Sequence, residues 1–568
     1  MRRGGVLFLA ALTAAGCLAG RQVVPRLTVW ATGESRKIFP NDPPESSNHH
    51  WDGLEHTVRL RAARNETVAF QLILSCPDKL DGVEIAFSPL THERLPALIG
   101  AEDIIPYRQW YVPVEKATDR AGSTGPGEYP DPLIPFRDPY SPEKPDIASP
   151  LTLEPGRNLP VWVDIRVAPG TPAGKYRGEA AISAAGNPLL RLKIDLVVWP
   201  FSLPSTPPLK VFFDLYGWRW ARGEKLPWSL CSETWEVLSR YEVMAHRHGF
   251  SNGHWGLMPG GAEQATQGVD WSAYDRFLGT VIDGSLFEDG EPPACWELPF
   301  PENWDPGDEV LAAYCRQVVE HWDQKGWDLE RAFAYVWDEK GPDHPRVKSY
   351  GEVLRKASRD RINYFYTCPP SPPLFGVVDW WAPRASSYEP AEMRARQALG
   401  DKAFFYHAGE PAVGLMCLDA DGLAWRTWAW MAWIYGSDGF FDWSANFWSE
   451  DPYRDPMGFD DDNGNMYLFY PGRGLENLGL PALAGPVPSF RLKALRRGIQ
   501  DYGYFALARE AGLNIESTLR LVVRRGLGVT GAYGIDRRAW SRDPEAWYQA
   551  RDKVGEILSE TVAQGAGI

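Results

Sequence analysis

The 568-residue sequence is short of basic residues, with 59 Lys and Arg against 74 Asp and Glu, and it carries a formal net charge of −15. Nucleic-acid-binding proteins need a basic footprint to follow phosphates, so this balance excludes that class. Hydrophobic residues make up 44% of the chain and charged residues 23%, which is a globular composition rather than a disordered or collagenous one. We therefore expect an enzyme or binding protein of several domains that handles neutral ligands.

The sequence also lacks long hydrophobic runs, apart from one segment at its start. Two arginines at positions 2–3 precede an apolar stretch, residues 6–15. That stretch is too short to span a bilayer and is typical of a cleaved export signal. Residues 14–17, Ala-Ala-Gly-Cys, resemble a bacterial lipobox. We predict a signal peptide over residues 1–20, with lipidation of Cys17 as the only membrane attachment. The protein is then a cell-surface or periplasmic lipoprotein; plain secretion and a short buried helix are the alternatives.

Cysteines are few, and none of the seven forms a C-x-x-C pair. That spacing is common in zinc sites and redox pairs, and no H-E-x-x-H sequence is present either. We therefore predict no metal site and no cofactor. An exported protein of this length does not need disulfides to fold, so we interpret the six cysteines after Cys17 as buried free thiols.

The first third of the chain has the pattern of β-strands. Residues 57–62 alternate polar with apolar side chains, the period of a half-buried strand, and similar runs follow with Pro, Gly and Asn turns between them. The pattern predicts a β-sandwich domain over residues 21–205. Residues 122–150 are rich in Pro, Gly and Asp and predict a long loop. Residues 200–208 are proline-rich and predict a stiff linker.

After this linker, strand patterns alternate with helical patterns. Eight strands are predicted, near residues 210–215, 251–257, 294–300, 332–337, 363–367, 377–381, 404–407 and 439–443. This alternation over roughly 300 residues predicts an α/β fold, a (β/α)8 TIM-type barrel over residues 206–510 preceded by the β-sandwich. Residues 511–568 are predicted to form a C-terminal helical segment. Chemistry in such a barrel belongs at the C-terminal ends of the strands.

Two adjacent carboxylates, Asp338 and Glu339, follow the fourth predicted strand. Like charges in one cleft raise at least one pKa, which can keep a carboxylic acid protonated near neutral pH. Ordinary glycosidases bring two carboxylates to opposite sides of the sugar, normally from different strands. Sequence neighbours are poorly suited to that, but they can serve as one acid and one residue that orients a nucleophile belonging to the substrate. A helix N-terminus decorated with acids is the alternative.

Aromatic residues crowd the ends of the other predicted strands. Flat rings there suit stacking on the apolar faces of sugars, although any single one of them can be core packing instead. Their repetition at the barrel mouth favours a sugar site. The candidate substrate-binding residues are Tyr216, Trp255, Trp380, Trp381, Tyr406, His407, Trp443, Asn446 and Trp448.

Several segments together resemble the catalytic domain of glycoside hydrolase family 123. They are residues 335–339 (Tyr-Val-Trp-Asp-Glu), 439–448, 468–472 (ending in Tyr-Pro-Gly) and 488–502 (ending in Arg-Arg-Gly-Ile-Gln-Asp-Tyr). The resemblance extends over residues 208–509, and the predicted sandwich is similar to the one that precedes such barrels.

This resemblance implies an exo-acting glycosidase, similar to bacterial β-N-acetylgalactosaminidases, that uses substrate-assisted retention. Glu339 is then the general acid/base. Asp338 holds and polarises the 2-acetamido group, whose carbonyl oxygen attacks the anomeric carbon. Carbohydrate is the only expected partner. The alternatives are a carbohydrate-binding surface lipoprotein without turnover and a glycosidase for a sugar that lacks the acetamido group.

The last predicted barrel helix carries charged residues that we interpret as structural. Arg491, Arg496 and Asp501 share this helix with an apolar Leu and Ile face. We expect them to be buried ion partners that brace the barrel.

Overall fold

The computed structural model describes residues 26–565 except 255, 258, 260–263, 302, 408 and 530–537. The predicted export segment and Cys17 lie outside the described residues. Within them, a two-sheet sandwich precedes an eight-stranded parallel barrel, which confirms the predicted fold class. No helix in this part of the chain is long and apolar enough to cross a membrane. The six cysteines after Cys17 are free thiols, and all but Cys231 are buried, which confirms that interpretation for these five.

The sandwich is built from two sheets whose inner faces carry β-branched and aromatic side chains. Its strands are β1 (Thr28–Gly33), β2 (Ser47–Asn48), β3 (Trp51–Asp52), β4 (Thr57–Arg64), β5 (Glu66–Ser75), β6 (Leu80–Phe87), β7 (Leu90–His92), β8 (Leu98–Ile99), β9 (Ile104–Val114), β10 (Gly127–Pro135), β11 (Leu151–Leu153), β12 (Leu159–Val167), β13 (Gly174–Ala184) and β14 (Asn187–Ser202). One sheet has the order β1-β5-β12-β9-β10, and the other β11-β6-β13-β14-β4-β3-β2 with β7 and β8 beside β13. Only the β14–β4 pair is parallel among these described ladders.

Strand β10 corrects the prediction of a continuous loop over residues 122–150. It pairs with β9 and lies at the edge of its sheet, and its register shifts between Pro130 and Leu133. Proline cannot donate a ladder hydrogen bond, but an edge strand needs donors on one side only. The proline-rich sequence is therefore compatible with a strand here because of its place in the sheet.

The barrel strands coincide with the eight predicted positions, although most are shorter. They are β15 (Lys210–Asp214), β16 (Ser251–Gly253), β17 (Trp296–Glu297), β18 (Ala332–Tyr335), β19 (Asn363–Tyr366), β20 (Trp380–Trp381), β21 (Lys402–Tyr406) and β22 (Gly439–Asp442). All seven ladders are parallel, in the order β16-β15-β22-β21-β20-β19-β18-β17, and the described residues of β16 and β17 share no ladder. Aromatic rings fill the interior; Phe212 and Phe441, for example, stack with centroids 4.9 Å apart.

Helices surround the barrel and continue to the C-terminus. They are α1 (Gly217–Glu224), α2 (Ser232–Arg247), α3 (Ser272–Arg276), α4 (Gly279–Ile282), α5 (Asp308–Lys325), α6 (Pro345–Ser358), α7 (Pro390–Gln397), α8 (Arg426–Tyr435), α9 (Phe490–Glu510), α10 (Glu516–Val522) and α11 (Pro544–Ala563). Two short strands, β23 (Phe469–Tyr470) and β24 (Val487–Pro488), pair before α9. The amphipathic pattern of most of these helices directs their apolar faces toward the sheet.

Helix α9 differs from the others because it is buried along nearly its whole length between barrel and sandwich. Its cations pair with acids of the sandwich. Arg491 donates to Asp131 of β10 at 2.9 Å. Lys493 and Arg496 both reach Asp164 of β12, at 2.8 and 2.6 Å. The two arginines therefore brace the contact between the domains, which corrects the expectation that they brace the barrel itself.

Asp501 of α9 does hold the barrel together. It accepts hydrogen bonds from Arg426, at 2.7 Å, and from the Trp430 indole, at 2.8 Å, both on helix α8. These side chains have no exposed surface. A fully buried ion pair is strongly destabilising when one partner is removed, so this contact fixes α8 against α9.

Glu66, the first residue of β5, is a further buried acid of this interface. Arg497 of α9 and Arg551 of α11 donate to it at 2.5 and 2.6 Å, and the Tyr504 hydroxyl donates at 2.6 Å. Burial by itself raises the pKa of Glu66, but Arg551 and Arg497 outweigh it and hold the pKa at about 2. The carboxylate is therefore ionised at every ordinary working pH.

We expect Glu66→Gln to lower the free energy of unfolding at pH 7 by up to about 3–5 kcal/mol, because it removes the carboxylate that two buried guanidinium groups share. Arg497 then keeps its contact with Glu34, and Arg551 its contact with Asp552. The stabilisation from an acid whose pKa is depressed on folding is complete above its unfolded pKa and is lost as pH falls toward the folded value near 2. Urea unfolding should therefore show that the variant loses less stability than wild type below pH ~4.

The control is Glu55→Gln. Glu55 and its partner Lys193 have side chains that are 64% and 60% exposed. An exposed pair contributes at most about 1 kcal/mol. Equal losses for the two variants at pH 7 would contradict the structural role given to Glu66.

Candidate active site

The predicted carboxylate pair lies at the mouth of the barrel, just beyond the end of β18. Asp338 accepts hydrogen bonds from the Tyr335 hydroxyl at 2.9 Å and from Thr367 Oγ1 at 2.7 Å. Burial raises the pKa of Asp338, the two hydrogen bonds oppose this rise, and the neighbouring Glu339 adds to it. The carboxylate is held in one direction by groups from two adjacent strands, β18 and β19.

Glu339 points to different partners, although it is the next residue. Its φ is +47°, a region that few non-glycine residues occupy, and its backbone N–H donates to Thr367 Oγ1 at 2.9 Å. Its carboxylate accepts from Arg384 Nη2 at 2.8 Å to both oxygens, and also from the Tyr406 hydroxyl. The side chain remains 39% exposed. Strained backbone of this kind is often found at functional sites.

The protonation of Glu339 differs from the sequence expectation. Burial raises the pKa of its carboxyl, but the Tyr406 hydrogen bond and Arg384 outweigh burial and lower the pKa below its usual value. The expectation that a neighbouring carboxylate keeps Glu339 protonated is therefore corrected, because the cation is in direct contact and Asp338 is not. In the free protein, Glu339 is ionised at neutral pH and Arg384 remains charged.

His407 follows Tyr406 at the end of β21 and has a φ of +60°. Its Nε2 lies 3.4 Å from Nη1 of Arg120, a residue of the sandwich. Burial, together with the nearby charges of Arg120 and Arg384, lowers the pKa of His407 to about 4. The ring is therefore neutral at pH 7 and can donate or accept a hydrogen bond toward a neutral ligand.

A further acid, Asp442, is fully buried at the end of β22. It accepts the backbone N–H groups of Trp443 at 3.0 Å and of His407 at 3.2 Å. Burial raises the pKa of Asp442 to about 7. The residue ties the ends of β21 and β22 together beneath the mouth.

Two more strand ends of the barrel carry acids. Asp214 ends β15 and Glu297 ends β17, and a Cβ atom at Gly253 would collide with both carboxylates. Glu297 also lines a cavity of about 160 Å³ together with His254 and Trp296. Glycine at position 253 is thus required to leave room for this acidic pair.

Sequence reasoning missed several of these residues as site candidates. Asp214, Thr367 and Asp442 all fall inside predicted strands, at or near their C-terminal ends. A search for polar residues at those positions finds them. Arg384 gave no such signal, because it lies beyond a strand end and nothing in its spacing relates it to Glu339.

The aromatic residues that the structure brings together are those at the ends of β15 and β22. Trp443 lies with ring centroids 5.9 Å from Tyr216, 5.2 Å from Phe447 and 4.8 Å from Phe459. All four rings are half-buried. Trp218 extends the group and is 53% exposed. We call these five residues the aromatic platform.

The structure places two other predicted tryptophans in packing roles, which corrects their assignment to the sugar site. Trp380 and Trp381 are neighbours in β20, so their side chains face opposite ways. Trp380 points into the barrel and stacks on Phe404 at 5.2 Å. Trp381 points outward, where its indole donates to Asp401 at 2.7 Å. Both are almost fully buried.

Asn446 and Trp448 are corrected in the same way. The side-chain oxygen of Asn446 accepts the backbone N–H of Tyr216 at 2.6 Å, and the residue has no exposed surface. The buried Trp448 indole donates to the Phe469 carbonyl at 2.6 Å. Both hold loops of the mouth in place. Trp255 lies outside the described residues.

The sandwich forms one side of the mouth through the loop between β9 and β10, residues 115–126. Thr118 and Ser123 donate to Asp419 at 2.8 and 2.6 Å. Arg120 pairs with Asp460 at 3.1 Å. The barrel mouth is therefore completed by a segment of the preceding domain.

Comparison with known proteins agrees with this architecture. The model of the glycoside hydrolase 123 catalytic domain matches residues 299–508, and that of the glycoside hydrolase 123 N-terminal domain matches residues 45–184. A solved family 123 glycoside hydrolase from Clostridium perfringens, described for glycolipid glycan hydrolysis, is 13% identical with a TM-score of 0.67, and the alignment covers 95% of this chain and 100% of that one.

Two other solved glycosidases are less similar. A family 39 glycoside hydrolase from Bacteroides cellulosilyticus is 10% identical with a TM-score of 0.32, covering 78% of this chain and 81% of that one. A GH5 xyloglucanase from Bacteroides ovatus is 9% identical with a TM-score of 0.29, covering 79% and 98%. No curated protein sequence matches this chain. Because both family 123 domain models match in the expected order, on a fold shared with a solved member, the chain belongs to glycoside hydrolase family 123.

Proposed function

We propose that this protein is an exo-acting glycosidase that removes β-linked N-acetylhexosamine, with N-acetylgalactosamine as the preferred sugar, by substrate-assisted retention. The observation that carries the proposal is the pair of adjacent carboxylates held in different directions, Asp338 by Tyr335 and Thr367, and Glu339 by Arg384 and Tyr406. Neighbouring residues cannot flank a sugar as an ordinary acid and nucleophile do. They can act on two atoms on the same side of the ring.

Asp338 is the residue that serves the acetamido group. In its ionised form it accepts the acetamido N–H and stabilises the positive charge that develops on nitrogen as the carbonyl oxygen attacks the anomeric carbon. Tyr335 and Thr367 already donate to one oxygen, Oδ1, and fix the carboxylate before the substrate arrives. A group fixed in this way stabilises developing charge without reorganising during the reaction.

Glu339 is the general acid and then the base. It gives a proton to the glycosidic oxygen as that bond breaks, and it later takes a proton from the water that opens the cyclised intermediate. The free protein holds Glu339 as an anion against Arg384. Substrate binding must therefore weaken this ion pair so that Glu339 can carry a proton.

The aromatic platform and the residues after β21 supply sugar contacts in this proposal. Tyr216 and Trp443 offer ring faces at the mouth, and Tyr406 and His407 stand beside Glu339. We also propose that the protein is exported and anchored through Cys17, as the lipobox-like sequence indicates. That anchor would hold the enzyme at the surface where its glycan substrates are.

A glycosidase for sugars without an acetamido group is the second candidate, and Glu297 is the observation in its favour. This half-buried carboxylate ends β17, the strand next to β18. It could supply the nucleophile that a two-carboxylate retaining mechanism takes from another strand. The experiments below separate the two mechanisms.

For the general acid, we expect Glu339→Gln to reduce turnover of unactivated substrates by about 10²–10⁴-fold, the usual contribution of general acid catalysis. Aryl glycosides with good leaving groups need less protonation and should lose less in the glycosylation step. Steady-state kinetics on both substrate types measures this difference. Asp343→Asn, at an exposed acid four residues away, is the matched control. Near wild-type rates of Glu339→Gln on both substrates would remove Glu339 from the role.

For the residue that stabilises the attacking acetamido group, we expect Asp338→Asn to lower kcat strongly with little change in KM. The charge that Asp338 stabilises appears mainly in the transition state. A sugar thiazoline that mimics the cyclised intermediate should bind far more tightly than the product. The 2-hydroxy analogue of the substrate should be nearly inert. Trapping of a covalent sugar on the protein by a 2-fluoro glycoside, above all on Glu297, would instead establish the two-carboxylate mechanism.

For the protonation of Glu339, we expect Arg384→Gln to move the alkaline limb of the kcat/KM profile to higher pH. A general acid is active when protonated, so activity falls as pH rises through its pKa. Arg384 lowers that pKa, and its removal lets the pKa rise. Arg394→Gln on the exposed face of α7 is the control and should leave the limb in place. If the alkaline limb of the kcat/KM profile stays at the same pH in Arg384→Gln, another group controls that limb.

A further inference from the structure

A second cavity, of about 200 Å³, lies in the sandwich and is lined only by sandwich residues. Strands β9 and β10, the start of β12 and the segment around β11 form its walls. The pockets of drug-sized ligands usually measure about 300–1,000 Å³, so this cavity has room for about one sugar unit. The chain from Arg108 to the end of β9 covers about 20 Å before the 115–126 loop reaches the barrel mouth. The cavity is therefore separate from the site at the carboxylate pair.

Arg108 is the residue that makes this cavity unusual. Its guanidinium lies over the Trp110 ring at 4.9 Å, and it makes no hydrogen bond or ion pair with another residue in the part of the chain that the structure describes. Burial lowers its pKa, and Glu154 is the one acid that opposes this effect. A half-buried guanidinium without a carboxylate in contact is costly unless something else supplies the negative charge.

A second guanidinium, that of Arg157, also lines the cavity. Arg157 Nη2 donates to both oxygens of Glu128 at 3.0 Å, and its guanidinium lies 5.9 Å from the centre of the Tyr111 ring. The Tyr111 hydroxyl is itself tied to the Ile38 carbonyl at 3.0 Å. The aromatic surfaces and the charged groups are therefore in place before any ligand binds.

These groups define the chemistry of a ligand. Arginine forks recognise planar carboxylate and tetrahedral sulfate groups through paired hydrogen bonds. The Trp110 ring lies on the same face of β9 as Arg108 and offers an apolar surface to a pyranose, and the Glu128 and Glu154 carboxylates that line the cavity can accept its hydroxyl groups. The overall charge of −15 does not oppose such a site strongly, because charges more than about 10 Å away are largely screened by salt.

We propose that the sandwich cavity around Arg108 is a second carbohydrate-binding site, which takes one sugar unit bearing a carboxylate or sulfate group. Arg108 binds the anion, Trp110 contacts the ring, and Arg157 with Glu128, which also line the cavity, positions the hydroxyl groups. The site holds an acidic glycan to the protein without taking part in bond cleavage. It extends the proposed function and does not depend on the mechanism at Glu339.

The test is to measure the binding of small sugars to the full chain. Ligand-observed NMR and titration of tryptophan fluorescence both report this binding. The probes are methyl β-D-glucuronide, N-acetylgalactosamine 6-sulfate and neutral methyl β-D-glucoside. We expect one or both anionic probes to bind with millimolar Kd and the neutral probe to bind roughly tenfold more weakly or worse. The two anionic probes distinguish a carboxylate from a sulfate as the natural group.

The variants locate the binding. Arg108→Gln should weaken binding of the anionic probe by roughly tenfold or more, because it removes the charge-assisted contact. Arg157→Gln, at a side chain 41% exposed, should also weaken it and is the second variant if Arg108→Gln folds poorly in a thermal melt. Arg137→Gln removes a guanidinium that is 82% exposed elsewhere on the sandwich, and it should bind as wild type does.

Glu339→Gln separates this site from the barrel mouth and should also leave anionic-probe binding unchanged. Two outcomes would overturn the proposal. One is the absence of binding by either anionic probe. The other is equal binding by wild type, Arg108→Gln and Arg157→Gln, which would place the ligand elsewhere on the protein.

Discussion

The buried charges of helix α9 are the constraint on which the rest of the structure depends. A cation without its partner in a low-dielectric interior costs several kcal/mol, so each buried arginine of α9 requires an acid at a fixed place. Those acids lie on β5, β10 and β12 of the sandwich, at Glu66, Asp131 and Asp164. The sandwich and the barrel therefore form one unit, because separating them would leave several ions uncompensated.

This coupling has a consequence for the barrel mouth. Strand β10 is held to α9 by Asp131, and the loop that precedes β10 carries Arg120 to the side of His407. The position of Arg120 therefore depends on an ion pair in the middle of the strand that follows its loop. A sandwich that packed loosely would not complete the mouth. The N-terminal domain thus contributes to the site through its rigid attachment.

At the carboxylate pair, two neighbouring residues have opposite electrostatic surroundings. Burial raises the pKa of Asp338, whereas Tyr406 and Arg384 overcome burial and lower the pKa of Glu339. Without substrate, Asp338 therefore holds a proton more readily than Glu339 does, although the proposed mechanism needs Asp338 as an anion. In the proposed mechanism, the substrate changes this environment by excluding water and engaging Arg384. The specificity of the enzyme then rests on which ligands can bring about that change.

Local patterns in the sequence determined the order of the elements. The spacing of apolar residues that marks a strand or a helix is visible within a short stretch of sequence. Eight strands, most of the barrel helices and the place of Asp338 and Glu339 at a strand end could therefore be predicted from sequence alone. The same strand sequences are rich in aromatic residues, and these rings fill the interior of the barrel. Segments that resemble the family, such as residues 488–502, then indicated the chemistry that we propose for this strand end.

Only the tertiary structure decided which side chains meet. Trp380 and Trp381 read alike in the sequence, but the pleat of β20 directs one inward and the other outward. The proline-rich β10 is a strand because it has one neighbour in its sheet. Arg384 reaches Glu339 across 45 residues, and Arg491 finds Asp131 across 360. Partners so far apart along the chain leave no local pattern, because their contact depends on how whole strands and helices pack.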